Sequence, residues 1–455
     1  MSPPERLDRH MSPLGRLDRH MSPLGRLRRY MSPPERLDRH MSPPERLRRR
    51  PMVKPERRTR ADVVAAIAIA AVIAVTAGLV WLTSDARATI SRPAAAAIPP
   101  LVTAKTVPSS LRQLWTAHSP KTTAPLVVAA SVVTGDGHTV QGRDPVSGSP
   151  VWSYGRTNLE LCGVSWVYQY AVAVYPDSRG CGQVSTIDAK TGKRGPARTA
   201  YADPEVRLSS DGTAVLSAGD SRLELWRSDM VRMLSYGSLD AKIKPGTPAS
   251  PLCRLTSAAA SSSAVSVLEA CPNQEELRLT LLRPADEEDT PELKYVPQSG
   301  VSVDSDAQVI AVSDTTTAVY VPTPRPVVNI VDETGATIQT TPLTKPASPK
   351  ATMSRAGDLF TWWTGDSLMV FSAKELQYKY TVSPAGANVP LGPATEMAGR
   401  LLVPVTGGYD VFDPADGKGD RHIAVPRPPS TDPVVPAVAG STVIEQRGDE
   451  LVALG

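Results

Sequence analysis

The stretch "GRDPVSGSPVWSY" (residues 142–154) joins two β-rich runs through a turn in which Asp144 is followed four residues later by Gly148. Asp accepts hydrogen bonds from turn amides and Gly supplies the left-handed backbone that a tight hairpin needs, so the pair marks a reversal between strands. The pattern recurs in "STIDAKTGKR" (Asp188, Gly192), "NIVDETGATI" (Asp332, Gly335) and "DVFDPADGKG" (Asp413, Gly417). The four Asp residues are separated by 44, 144 and 81 positions, close to one, three and two periods of about 45. Degenerate hairpins fall in the gaps around Asp229, Asp286 and Lys374. A period of this length built from strands and turns, with no amphipathic helical run after Leu82, implies a β-propeller with one four-stranded blade per repeat.

Seven blades are expected to begin near residues 126, 160, 205, 253, 301, 350 and 394. Two fragments are left over, "SSLRQLWTA" (109–117) and "STVIEQRGDELVALG" (441–455). Joined in one sheet they make an eighth blade that closes the ring and leaves no open sheet edge between the chain ends. The expectation is an all-β, eight-bladed propeller over residues 109–455, with seven blades as the alternative.

Upstream, "VKPERRTRADVVAAIAIAAVIAVTAGLVWLTSDARA" (53–88) holds an uncharged apolar run from Val63 to Leu82. Twenty helical residues reach about 30 Å, the thickness of a bilayer's hydrocarbon. Lys54, Arg57, Arg58 and Arg60 lie on its N-terminal side in the basic juxtamembrane segment 52–62, which puts the N-terminus in the cytoplasm and the propeller outside. The competing reading is a signal peptide cut after "ARA" (86–88). Residues 83–108 are rich in Ala and Pro without a period and read as a spacer lifting the propeller off the membrane.

Residues 1–51 hold five decapeptide copies, each opening with Met, followed by Pro51 and a second candidate start at Met52. A Pro every ten residues and the lack of an apolar stripe predict disorder there. The formal net charge of +4 divides sharply: residues 1–60 carry 17 Lys or Arg against 7 Asp or Glu, and the remainder is mildly acidic. The basic head is explained by membrane topology, and without aromatic interleaving or a recognition fold no nucleic acid is expected as a partner.

At "DPVSGSPVWSY" and "DAKTGK" (188–193) the repeat resembles that of the quinoprotein (PQQ-like) propellers. The resemblance implies that Asp144, Gly148, Asp188 and Gly192 shape hairpins while Trp152 docks between blades; Trp226 departs from it, coming before its turn. The segment from "PERRTRADVVAA" through "TSDARATISRP" also resembles a group of Ala- and Val-rich single-pass membrane proteins of actinobacteria, which implies an envelope protein.

Four cysteines fall in two pairs, Cys162 with Cys181 and Cys253 with Cys271, each near the start of a blade. An antiparallel hairpin brings the beginning of its first strand beside the end of its second, so two disulfides within blades are the economical connectivity in an oxidising compartment. A zinc site and free buried thiols are the rival readings.

No nucleophile elbow, HExxH, Walker or dinucleotide pattern is present. Asp304 and Asp306 could reach a cation, but alternating strand geometry or a polar turn explains them more simply, and Asp413, Asp416 and Asp420 lack the regular ligand spacing and terminal Glu of a calcium loop. His118, His138 and His422 are scattered, and of Trp362 and Trp363 one is expected in the core and the other at the surface. No catalytic, cofactor or metal residue is therefore assigned. The expected function is a membrane-anchored, extracytoplasmic scaffold for envelope or membrane proteins, with a PQQ-type dehydrogenase or its non-catalytic descendant, and a lipid or glycan receptor, as alternatives.

Overall fold

The computed structural model describes residues 58–238, 252–287 and 290–455. The decapeptide copies, Met52, Lys54 and Arg57 lie outside the described residues. The chain divides into two units, Met1–Ile69 and Ala70–Gly455.

Helix α1 (Arg60–Leu82) is the apolar run. Thr59 and Asp62 cap it reciprocally: the Thr59 amide and hydroxyl both donate to Asp62 Oδ2 at 2.8 Å, and the Asp62 amide donates to Thr59 Oγ1 at 3.2 Å. Its 23 residues are long and apolar enough to cross a membrane, and none of its side chains is buried against protein.

Eight antiparallel sheets make the propeller. Seven are continuous in sequence: Leu126–Arg156, Gly163–Thr199, Arg207–Gly237, Arg254–Ser302, Gln308–Pro342, Thr352–Val382 and Thr395–Ala424. The eighth joins three C-terminal strands, Val434–Leu454, to strand β2 (Gln113–His118), which pairs from Gln113↔Leu454 to His118↔Glu450. Arg112 and Gly455 exchange backbone hydrogen bonds of 3.1 and 3.0 Å beside this seam. The eight-blade expectation, with the chain ends sharing one sheet, is met. Blade 5 begins at Gln308 rather than near 301 because the outermost strand of blade 4, Glu292–Ser302, is long and its pairing is interrupted between Glu276 and Arg278.

The core lies between blades. Second strands are packed on both faces and most are largely apolar; in blade 2, Ala171, Val172, Ala173, Val174 and Tyr175 are all fully buried. Most outermost strands face solvent and are polar, as in "TIQTTP" (337–342), whereas that of blade 3, Arg232–Gly237, is largely buried.

In each blade the second-to-third loop and the link to the next blade lie at one end of the strands, here the loop face. The first-to-second and third-to-fourth turns lie at the other, the hairpin face.

Residues 83–108 differ from the expected free spacer. After a single helical turn, α2 (Asp85–Ala88), strand β1 (Thr89–Arg92) adds a fifth strand to blade 1, pairing from Thr89↔Arg156 to Arg92↔Ser153. The chain then runs as a strap along the hairpin face: the Ala94 and Ile98 amides donate to Thr191 and Lys190 carbonyls at 3.0 Å, and Val107 O accepts from Arg421 Nη2 at 2.8 Å. The outer edge of blade 1 presents unpaired backbone groups that any adjoining extended segment can satisfy. "TISR" (89–92) supplies one, a local pairing that composition does not reveal.

Candidate functional site

The Asp/Gly turns all lie on the hairpin face. Asp144 Oδ1 accepts from the Val146 and Ser147 amides at 3.0 and 2.7 Å, and Asp188 Oδ1 from Lys190 and Thr191 at 3.1 and 2.9 Å. Asp332 Oδ1 takes the Thr334 and Ala336 amides at 2.8 and 3.0 Å, and Asp413 Oδ1 the Ala415 amide at 2.9 Å. The Asp332 carboxyl is held below its ordinary range chiefly by the Thr334 hydroxyl, and that of Asp413 chiefly by the Ala415 amide. Gly148, Gly192, Gly335 and Gly417 all have φ between +68° and +84°.

Trp152 docks between blades as the resemblance implies: it is 2% exposed, lies against Gly192 of blade 2 and donates from Nε1 to Ala189 O at 2.8 Å. Its indole also crosses its own strand partner Gly142, where a Cβ would fall 2.1 Å from the ring. Two further residues play the same part. Trp115 of β2 lies on Gly148 and donates to Pro145 O at 2.9 Å, locking blade 8 to blade 1; Tyr380 lies on Gly417 and donates to Pro414 O at 3.2 Å. A sequence signal for them exists: each aromatic precedes its partner glycine by 33 to 40 residues. In blade 3 this role passes to Arg198 of blade 2, whose Nη1 donates to Met230 O at 2.8 Å, while Trp226 is buried and bonds Glu224.

Three buried carboxylates, none visible as special in the sequence, are held by arginines; Glu224 and Glu445 tie neighbouring blades together, and Glu269 is paired within blade 4. Glu224 is paired with Arg198 and Arg232 at 3.0 and 3.2 Å, and Glu269 with Arg278 at 2.6 Å. Glu445 is held by Arg427 at 2.6 Å and by Arg447. Burial alone would raise the Glu445 carboxyl, but hydrogen bonds and charge from Arg427, with Arg447 behind, hold it below its ordinary range.

The disulfides are Cys162–Cys181 and Cys253–Cys271, with Cα atoms 6.0 and 4.1 Å apart, and no cysteine is free. Both close the loop face. Cys253, Glu269 and Cys271 are also the one trio among the described residues whose potential metal-ligating atoms converge, but the disulfide occupies both sulfurs and Arg278 faces the carboxylate.

On the loop face a cavity of about 610 Å³ opens among the innermost strands of blades 3, 4 and 5. Arg207, Arg254, Ser257, Asp304, Asp306 and Gln308 line it. Arg254 Nη2 reaches Val303 O at 3.5 Å and Arg207 Nη1 pairs with Asp220 at 3.2 Å. Asp304 and Asp306 are thus brought to one cavity, in the link between blades 4 and 5, and their exposed carboxylates make no ion pair among the described residues. The other acids are dispersed: Asp413 pairs with Arg400 at 2.7 Å, Asp416 accepts from the Lys418 amide, and Asp420 pairs with Arg421 at 3.5 Å. His422 Nδ1 lies 2.6 Å from Asp410 and His118 Nδ1 3.3 Å from Asp136, neither pair lining the cavity. Trp362 and Trp363 are both buried, correcting the expectation of one at the surface: Trp362 packs on Tyr320, and Trp363 is covered by the next link, donating to Pro390 O at 2.8 Å.

With this geometry, the fold class is settled. The chain is an eight-bladed β-propeller. No protein-family model matches it, and no curated protein matches its sequence. Among solved structures it is similar to BamB from Moraxella catarrhalis, at 15% identity and a TM-score of 0.46, covering 76% of this chain and 99% of that one. It is also similar to the computationally designed Ika8 protein (11%, TM-score 0.48, 78% and 99%) and to the C-terminal WD40 domain of Sif2 (12%, TM-score 0.48, 77% and 99%). These likenesses are of fold only.

Proposed function

We propose that this chain is a single-pass membrane protein whose propeller stands outside the cytoplasmic membrane and holds partner proteins, without catalysing a reaction. The basic residues Arg58, before α1, and Arg60, its first residue, lie on the N-terminal side of the apolar run, as a cytoplasmic N-terminus requires, and two disulfides suit an oxidising compartment beyond it. The observation that carries the binding role is on the hairpin face of blades 1 to 3 and the strap. Val146, Tyr168 and Val231 are 60%, 60% and 52% exposed, and Val102 81%. Large apolar and aromatic side chains held out to solvent on one rigid face are what a protein partner buries. Tyr168 is fixed there in a left-handed conformation (φ +50°), with its amide bonded to Gly212 O at 2.8 Å.

The test is co-purification from detergent-solubilised membranes with the tagged full chain and a Val146→Asp/Tyr168→Asp/Val231→Asp variant. Envelope or membrane proteins retained by the parent should be lost from the variant while its melting temperature is unchanged. Equal recovery by both refutes the assignment to this face.

The cavity favours a second reading, binding of a small polar ligand such as a glycan, because its volume falls within the usual range for ligand sites of about 300–1,000 Å³. A saturable ligand or quinone-dependent activity lost in Asp304→Ala or Asp306→Ala, with folding intact, would favour it over the scaffold.

A further inference from the structure

We infer that the loop face of the propeller, with the mouth of the cavity, lies against the headgroup layer of the membrane in which α1 is anchored, and that the hairpin face points away from it. This rests on the anchored reading above and adds which side of the propeller meets lipid.

The argument is one of chain length. A free spacer over residues 83–108 could extend to about 90 Å, at roughly 3.5 Å per residue, and would leave the propeller unoriented. The structure removes that slack. From Thr89 onward the chain is fastened to the propeller: β1 is paired along blade 1, the Ala94 and Ile98 amides are bonded to blade 2, Val107 O to blade 7, and Arg112 to Gly455. Firm backbone fastening begins one residue earlier, where Ala88 O accepts from the Thr157 amide at 2.9 Å and from Thr157 Oγ1 at 3.2 Å, and a side-chain contact lies further back, Asn158 Nδ2 donating to Asp85 Oδ1 at 3.3 Å. Only Thr83 to Arg87 remain between the last residue of α1 and the first firm attachment, and part of that is the turn of α2. Such a tether reaches at most about 20 Å.

The attachment point sets the orientation. Thr157 and Asn158 open the link between blades 1 and 2, which belongs to the loop face, and β1 leaves them toward the hairpin face. The loop face is therefore the side drawn to the bilayer. Its residues suit a headgroup layer: Arg87, Lys121 and Glu160 around the attachment, and Arg207, Arg254, Asp304 and Asp306 at the cavity mouth, are polar and of both signs. Of the exposed apolar residues, Val146, Tyr168 and Val231 stand on the opposite face, free for a protein, while Leu252, 77% exposed, and Tyr201, 47% exposed, stand on the loop face, where an apolar and an aromatic side chain suit the headgroup boundary.

The experiment uses the full chain reconstituted into phosphatidylcholine vesicles doped with a phosphatidylethanolamine whose headgroup bears a photoreactive diazirine. Adducts are mapped by mass spectrometry on the carbonate-resistant fraction. They should concentrate in the loop-face segments 119–125, 157–162, 200–206 and 303–307, and be several-fold fewer in the hairpin turns 144–149, 189–193 and 413–418. A second chain carries a Gly/Ser insert of about 20 residues between Thr83 and Ser84, with an end-to-end distance of about 25 Å. Its loop-face adducts should fall several-fold with carbonate resistance and melting unchanged. Equal adducts on both faces, adducts confined to the blade 1 edge around Ile90, or undiminished adducts in the insert variant would overturn the inference. Extraction of the parent chain by carbonate would instead overturn the anchoring on which it rests.

Discussion

Gly142 and Trp152 offer a test of how blades are locked, because the same substitution at Gly142 should change sign with the residue opposite. The two are directly paired across the third and fourth strands of blade 1, and a Cβ at Gly142 would fall 2.1 Å from Cε2 and Nε1 of the indole. Gly142 does not adopt a positive φ, and the three atoms nearest to a Cβ there all belong to the ring, so the conflict is steric rather than one of backbone conformation. Gly142→Ala should therefore cost about 1–3 kcal/mol through overpacking. Trp152→Ala should cost about 3–5 kcal/mol, the usual range for emptying a buried indole site. That figure needs no added penalty for an orphaned acceptor, since Ala189 O keeps the hydrogen bond from Ser131 Oγ at 3.1 Å. With the indole gone, Gly142→Ala meets open space and gains the roughly 0.5–1 kcal/mol by which Ala is preferred over Gly within a strand. The double variant should thus be more stable than Trp152→Ala alone, with a coupling of about 2–3 kcal/mol. Urea unfolding of the detergent-solubilised full chain, followed by far-UV circular dichroism, measures all four corners of the cycle. Additivity within about 0.5 kcal/mol would refute the steric explanation.

Removing either disulfide with paired Cys→Ser substitutions should lower stability by about 3 kcal/mol, the loop-closure value for this spacing; peptide mapping of the unreduced parent should link Cys162 to Cys181 and Cys253 to Cys271 and find no free thiol. Glu445→Ala should cost about 3–5 kcal/mol by stranding Arg427 and Arg447, and more than Glu445→Gln, as denaturant titration of both would reveal. Because the folded Glu445 carboxyl titrates below its ordinary value, its contribution is complete above about pH 4.3 and is lost as pH falls through the depressed value, so the acid limb of the parent's melting curve should be shallower in Glu445→Gln. At the alkaline end, burial pushes the Tyr175, Tyr236 and Tyr409 hydroxyls above the ordinary value of about 10, so folded protein keeps protons that the unfolded chain releases, and stability falls as pH rises past it. Phenolate absorbance from these residues should appear together with loss of structure; its appearance while the sheet signal is intact would contradict their burial.

The residues that made the fold legible are those whose backbone geometry has few alternatives. Asp144, Asp188, Asp332 and Asp413, each with a glycine three or four residues on, announce hairpins because a positive-φ turn with capped amides admits little else. Counting their spacing was enough to number the blades and to pair the chain ends. The cysteines were legible for a related reason, since a hairpin fixes which strand ends meet. What stayed hidden depends on contacts between blades rather than along one. Nothing near Glu445 in sequence points to Arg427 lodged at a neighbouring blade, and Arg198 in the place of a docking tryptophan breaks the residue type while keeping the position.

The same division explains the site and the strap. Asp304 and Asp306 stood out in the sequence as a pair of acids, but the cavity they line also needs Arg207 of blade 3 and Arg254 at the start of blade 4, about 100 and 50 residues earlier, whose convergence depends on how successive blades pack. "TISR" is an unremarkable tetrapeptide, and it becomes β1 only because blade 1 has an unpaired edge within reach of a chain leaving α1. A segment whose composition calls for slack is thereby pinned along its length. The consequence is mechanical: the pull of a partner on the hairpin face would reach α1 only through the attachments of Ala88 and β1 to blade 1. Carrying the loop face beyond the tether's reach of about 20 Å then requires breaking the four residue pairs from Thr89↔Arg156 to Arg92↔Ser153 or drawing α1 from the bilayer, while β2 and the Arg112–Gly455 hydrogen bonds hold the seam at which the ring closes.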